Sequence, residues 1–292
     1  MSNYHTSVLL RESIDWLNIK QGEWYVDGTV GGGGHTQAIL ERGGKVLGID
    51  QDQEALDYVN GNIQNENLRL VRGNFGELRK IVDEQKIEKI AGVLLDFGVS
   101  GHQLDTPERG FSFQNGPLDM RMDSRLGVTA KDLVNGLGKD ELVRLFERFG
   151  EERFAKQIAA RIIESRKGQP IETTEALVRI ITSVVHHKKG LAHPATKVFQ
   201  SLRIAVNDEL GSIEQVLPQS VEVLEQSGRI VTITFHSLED RIVKKAFVDF
   251  AMQDLGTILT KKPLVPSEEE IERNPRSRSA KLRVFEKSYS ED

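Results

Sequence analysis

The chain has 292 residues, enough for a sizeable core and for one large or two ordinary domains. With 38% hydrophobic residues, 28% charged residues and a net charge of −5, it is not basic overall, so any polyanion has to be met by local basic patches. It contains no cysteine, which excludes disulfides, thiolate metal sites, iron–sulfur clusters and cysteine nucleophiles together.

The opening Met1 to Trp16 carries Arg11, Glu12 and Asp15 and lacks an apolar core of signal length. No stretch approaches the ~20 apolar residues that span a bilayer, so a cytoplasmic protein without membrane contact is expected. Trp24-Tyr25-Val26 reads as a buried strand, followed by the turn Asp27-Gly28-Thr29-Val30-Gly31-Gly32-Gly33-Gly34-His35 and a helix from Thr36. A strand that turns through glycines into a helix is the opening unit of a nucleotide-binding α/β fold, although such a cluster also serves as an ordinary tight turn. Lys45 to Asp50 is a second strand ending in a carboxylate, near the ~20-residue offset at which an acidic side chain meets a ribose. A helix over Gln53 to Ile63, a strand over Leu68 to Val71 and a helix near Glu77 to Asp83 follow. Ile90 to Leu95 is continuously apolar and ends at Asp96-Phe97-Gly98, as suits a central parallel strand covered on both faces.

The next strand of this kind, Arg229 to Phe235, lies more than a hundred residues on. A parallel crossover needs about a dozen residues, so the excess is an inserted subdomain. Gly101 to Asp123 reads as an ordered loop. Beyond it the pattern is helical: Thr129 and Asp132 form a capping box, Glu141 to Ser165 keeps helical spacing, Thr173 or Thr174 starts a helix through Val185, and Ala195 to Leu210 makes another. A helix starts at Ser237 with Asp240 as reciprocal cap. Ser267 to Arg278 reads as an exposed arm, and Ser279 to Phe285 alternates like a last edge strand.

The glycine spacing departs from GxGxxG and lies nearer the loop by which methyltransferases hold S-adenosylmethionine, favouring methyl transfer over hydride transfer without excluding either. His5 to Leu10, Asp27 to His35, Gln103 to Asp105, Arg109 to Phe113, Gly116 to Asp123, His193 to Thr196, Phe235 to Arg241 and Asn274 to Ser279 together resemble the bacterial 16S rRNA cytosine-N4-methyltransferase family. The resemblance runs from His5 to about Arg283. It departs at Gly101, where the family usually has a second serine after Ser100, and at Asn115, where an aspartate commonly precedes Gly116.

The resemblance implies a Rossmann-like class I methyltransferase sheet, mostly parallel with an antiparallel last strand, over residues 1–104 and 208–292. A helical substrate-recognition subdomain fills 105–207. It implies S-adenosylmethionine as methyl donor, no metal, and a decoding-centre cytidine of 16S rRNA in the small ribosomal subunit as acceptor. Oligomeric state stays open, a homodimer included. Carried over by motif, the cofactor contacts are Gly33, Gly34, His35, Asp50, Phe75, Asp96 and Gln103.

The N4 amine of cytosine is a poor nucleophile, so positioning and acceptors for N4–H have to supply most of the rate. Asp96 is the central candidate, with Ser100 and Asp119 secondary. His236 reads either as a base or as a helix-start residue, and His186 and His187 as surface residues. Candidate RNA contacts are Phe111, Phe113, Arg121, Lys197, Arg203, Asn207, Arg276 and Arg278. Arg125, Lys188, Lys189, Lys281 and Arg283 complete the basic groups, and Gln200 shares a helical face with Arg203 and Asn207. For Phe111 and Phe113 the competing reading is packing of the loop onto the core. An amino-methyltransferase for DNA or a small molecule, and a non-catalytic S-adenosylmethionine-binding assembly factor, are the alternatives.

Overall fold

A computed structural model describes residues 7–186 and 192–288. The chain divides into two compact units, Met1–Ser100 with Leu210–Asp292, and Gly101–Glu209. Among the described residues the first unit is built on seven strands: β1 (Trp24–Asp27), β2 (Lys45–Asp50), β3 (Leu68–Arg72), β4 (Ile90–Asp96), β5 (Leu224–Thr234), β6 (Gly256–Ile258) and β7 (Lys281–Lys287). Their order is β3-β2-β1-β4-β5-β7-β6. Pairings from β3 through β5 are parallel, whereas β7 runs antiparallel to both β5 and β6. This is the mostly parallel Rossmann-like sheet expected from the sequence.

Successive side chains of a strand point to opposite faces, and both faces here are covered. Val26, Leu47, Val93, Leu95, Ile230 and Phe285 enter one core with Leu78, Ile81, Val216, Val243 and Phe247 from helices. Their neighbours Tyr25, Val46, Leu94, Val231, Leu282 and Val284 enter the other, with Ile14, Leu17, Ile39 and Leu40. That double burial is why β4 is apolar without alternation.

The last strand departs from expectation. β7 is no edge: it lies between β5 and β6. Its polar alternates are satisfied inside the unit, since Asp240 accepts from Lys281 Nζ at 3.0 Å and from Arg283 Nε at 2.7 Å. β5 begins at Leu224 rather than Arg229, with a register shift opposite Ile90 and Gly92 and a left-handed Ser227 at φ 62°. The polar run Glu225-Gln226-Ser227-Gly228 that resembles a turn is this irregularity. The 267–278 segment is exposed over most of its length, as expected, but it is folded rather than extended. It forms a helix, Glu268–Arg273, and a tight turn, Pro275–Ser279; Leu9 N–H donates to Glu270 Oε1 at 2.7 Å and Ser277 is fully buried.

The second unit carries helices Gly101–Asp105, Ala130–Gly136, Lys139–Gly150, Ala155–Ser165, Thr174–Thr182 and Thr196–Asn207. The Thr129–Asp132 capping box is formed, and Thr173 caps the Thr174–Thr182 helix. The predicted run from Glu141 to Ser165 is two helices, broken where Glu151 turns left-handed at φ 48°. Asp208, at φ 47°, likewise ends the helix predicted to continue to Leu210, and a separate helix, Glu209–Val223, follows. His186 is exposed; His187, Lys188 and Lys189 lie outside the described residues. Among the described residues no helix is long and apolar enough to cross a membrane.

Candidate functional site

Strand order reverses at β1, with β2 on one side and β4 on the other, the place where open α/β sheets receive ligands at their carboxyl ends. Each of these three strands ends in an aspartate: Asp27, Asp50 and Asp96. Between Asp27 and the helix Gly34–Glu41 runs the glycine turn, and its conformation explains its composition. Gly31 and Gly33 are left-handed, at φ 49° and 79°. A Cβ on Gly33 would stand 2.8 Å from Val59 Cγ2, and one on Gly34 2.2 Å from Ser7 Oγ. By contrast, a Cβ on Gly31 would make only ordinary van der Waals contacts, with Thr29 O at 3.9 Å and Ser100 Cβ at 4.0 Å, so the turn is less crowded there.

The carboxylates hold this turn. Asp27, almost fully buried, accepts from Thr29 N–H at 3.2 Å and from the Thr36 hydroxyl at 2.7 Å, tying the turn to the helix it enters. Asp50 accepts from Gly31 N–H at 2.8 Å and Asp52 N–H at 2.9 Å. Thr29 Oγ1 accepts from Asp96 N–H at 2.7 Å and so links the turn to the end of β4. Asp96 Oδ2 lies 3.9 Å from His35 Nδ1, while its Oδ1 is buried without a hydrogen-bond partner. Burial pushes the Asp27 and Asp50 carboxyls up to about 6 against the opposing pull of their hydrogen bonds. Asp96 is held well above the usual carboxylate range, first by burial and then by the charges of Asp27 and Glu239. A buried acceptor without a partner, at a ligand-receiving edge, is a group waiting for a donor.

The remaining residues of this unit fall into place around that edge or away from it. Phe75 opens a short turn after β3 with its ring centroid 5.6 Å from that of Phe97. His236 is a helix cap. Its Nδ1 accepts from Glu239 N–H at 3.4 Å, while Glu239 Oε2 accepts from Phe235 and His236 N–H at 2.7 and 3.2 Å. Nε2 lies 3.0 Å from Glu239 Oε1, an ion-pair distance without a hydrogen bond. The box is therefore His236 with Glu239, not Ser237 with Asp240, and the imidazole is held by Glu239 instead of standing as an uncommitted base. Arg276 and Arg278 are exposed on the turn Pro275–Ser279.

In the second unit several expected contacts prove to be internal. Asp119 is clasped by Arg121, whose Nε, Nη2 and backbone N–H all donate to it, and Arg121 also donates to the carbonyls of Ser124 and Leu126. Burial alone would raise the Asp119 carboxyl, but Arg121 outweighs it and holds the group below its ordinary value. Asn207, expected on an RNA-facing stripe, is 5% exposed: its Oδ1 accepts from Met122 N–H and its Nδ2 donates to Met120 O. Arg203 forms a two-pronged pair with Glu209, and Gln200 donates to Phe149 O. Buried polar groups have to be paired, and here the pairing is what places these residues. Phe111 is buried, as loop packing would have it; Phe113 is exposed, stacked on His193 with centroids 4.4 Å apart. Gln103 is buried in its helix, and Lys197 is exposed with Nζ donating to Glu151 O. Sequence reasoning overlooked Asp27 and Thr29 as the fastening of the turn, though the signal was present: Asp-Gly-Thr after a strand puts an acceptor within reach of amides two residues on.

Over residues 2–288 the sequence matches the MraW methylase family. It is 48% identical over 306 aligned residues to the ribosomal RNA small subunit methyltransferase H of Carboxydothermus hydrogenoformans, covering 97% of each chain. The protein of that name from Geotalea uraniireducens is 47% identical over 97% of this chain and 98% of its own. Among solved structures, an rRNA methylase from Streptococcus thermophilus aligns over 97% of this chain and 98% of its own, at 13% identity and a TM-score of 0.46.

Proposed function

The chain belongs to the MraW methylase family, and from that premise we propose that it transfers a methyl group from S-adenosylmethionine to the exocyclic N4 of a cytidine in 16S rRNA of the small ribosomal subunit. Methyl transfer follows from the family. Small-subunit rRNA as acceptor is supported by relatives at 48% and 47% identity that carry that activity in their names. The N4 position and the decoding-centre cytidine rest on the motif resemblance.

The residues at the sheet edge fit the donor. An uncrowded glycine turn at Gly31, an acidic group at the end of β2 and an aromatic ring at Phe75 are what an amino-acid chain, a sugar and a base require. When bound, S-adenosylmethionine supplies a methyl group on a sulfonium, which needs no metal for its transfer. Asp50 takes the ribose, Phe75 lies against the adenine, and Gly33, Gly34 and His35 form the wall beside the methionine end. The carrying observation is Asp96 Oδ1, a buried acceptor with no partner. It accepts a hydrogen bond from N4–H and then takes the proton that N4 releases, a role suited to a carboxyl whose pKa burial has raised. Ser100, beside the glycine turn, is the second polar group at that end. Phe113, Lys197, Arg276 and Arg278 are RNA contacts, and the Gly101–Glu209 unit carries substrate recognition.

The test supplies labelled S-adenosylmethionine with small ribosomal subunits, naked 16S rRNA and DNA in separate reactions, followed by digestion to nucleosides. Label in N4-methylcytidine from the subunit is expected; label only in DNA, or in another nucleoside, overturns the assignment. Asp96→Asn should lower turnover by at least about a hundredfold while cofactor affinity stays near that of the parent, the loss expected when one aligned acceptor goes. An unaltered turnover removes Asp96 from the mechanism.

A further inference from the structure

Residues 235–237, within one recognisable sequence block, and 278–281, at the end of another and just beyond it, meet around a surface cavity of about 300 Å3 with Val265 at its rim. Its lining contains Arg278, Lys281, the hydroxyls of Ser237 and Ser279, and the His236 ring, but no carboxylate. In a chain with 44 acidic against 39 basic residues, a pocket from which acids are excluded is selectively positive. Lys281 is steadied by Asp240 at 3.0 Å, yet Asp240 also serves Arg283, so two cations share one acid. Arg278 is exposed and makes no ion pair among the described residues. The acid nearest in sequence, Glu239, is fully buried and turned onto the Phe235 and His236 amides. Those amides are consequently spent, and recognition of an anion falls to the side chains.

We propose that this pocket holds a phosphate group of the RNA strand, away from the transferred methyl, with Arg278 as principal contact and Lys281, Ser237 and Ser279 as further donors. None of Asp27, Asp50 or Asp96 lines it. A guanidinium presents paired donors to phosphate oxygens, and Phe235 and Val265 give the attached sugar an apolar wall. The proposal rests on RNA being the substrate and adds a subsite to that reading.

The experiment titrates the full chain with a short fluorescent oligoribonucleotide across a range of salt, for the parent, Arg278→Ala and Arg278→Lys. Arg278→Ala should weaken binding roughly tenfold and flatten the salt dependence by about 0.7, the slope of one single-strand phosphate contact. Arg278→Lys should keep the slope, and S-adenosylmethionine affinity should not move in either variant. Unchanged affinity and slope in Arg278→Ala overturn the proposal. A parallel titration with inorganic phosphate separates the sources: an effect of Arg278→Ala confined to inorganic phosphate overturns RNA as the ligand. Failure of the enzymatic reading has its own readout, absence of methyl transfer to rRNA by the parent, and leaves the oligoribonucleotide result to stand or fall by itself.

Discussion

Asp27 illustrates how a buried acid is tolerated and what it costs. Its two oxygens fasten the glycine turn, and burial raises its pKa to about 6 in the folded chain. A folded pKa above the unfolded one means that the native state binds the proton more tightly. That contribution is fully present below about pH 4 and is lost as pH rises through about 6. Asn at position 27 removes the titration, and although its NH2 then faces one of the Thr29 and Thr36 backbone amides, that penalty is the same at every pH. Asp27→Asn should therefore gain stability relative to the parent between pH 4 and pH 7, by about 3 kcal/mol from the size of the shift. Urea midpoints at the two pH values measure it, and a pH-independent difference contradicts the argument. Asp50 and Asp96 shift in the same direction. Among the candidate site residues, Asp50 and Asp96 were legible in the sequence because a strand pattern ending in an acid marks its own carboxyl end. Asn207 was not, because its partners Met120 and Met122 lie more than eighty residues away and no local pattern announces them.

At the scale of elements, the helix Ser237–Met252 shows why caps are harder to read than runs. Both Ser237 with Asp240 and His236 with Glu239 have the i, i+3 spacing of a capping box, and serine is the commoner cap. The structure uses the second pair because Glu239 also accepts from Phe235 N–H, closing the end of β5 and the start of the helix with one side chain. Glu239→Ala leaves two amide donors without their acceptor in a buried place and should cost about 3 kcal/mol in a urea melt. Glu239→Gln keeps an acceptor and should cost clearly less; equal losses would mean that packing, not capping, carries the effect. The central strands were legible as apolar runs. The breaks at Glu151 and Asp208 were not, since non-glycine residues at positive φ carry no compositional warning.

Over the whole molecule, the position of β7 governs how the sheet is completed. Leu282, Val284 and Phe285 are fully buried, and β7 pairs with β5 along six residues. A chain ending at Leu255 loses β6 and β7, exposing the apolar flank of β5 and an unpaired edge. Such a chain should aggregate or remain unfolded on size exclusion, whereas a folded monodisperse product would show that the parallel strands suffice. The alternation Lys281-Leu282-Arg283-Val284 that suggests an edge reflects instead a strand whose polar side chains find Asp240 within the fold.

The long interval between β4 and β5 carries a kinetic consequence. β4 ends at Asp96 and cannot pair with β5 until the chain has been synthesised past Leu224, while the Gly101–Glu209 unit is continuous in sequence. The chain therefore emerges with an open parallel half-sheet whose β4 flank is apolar, followed by a continuous stretch that makes a compact unit of its own. Loop closure over that distance is slow if the intervening residues are disordered and faster if they have already compacted. The insert is thus a pacing element for its host sheet: a substitution that loosens it prolongs the interval during which β4 is open to a wrong partner, even where the finished fold is equally stable.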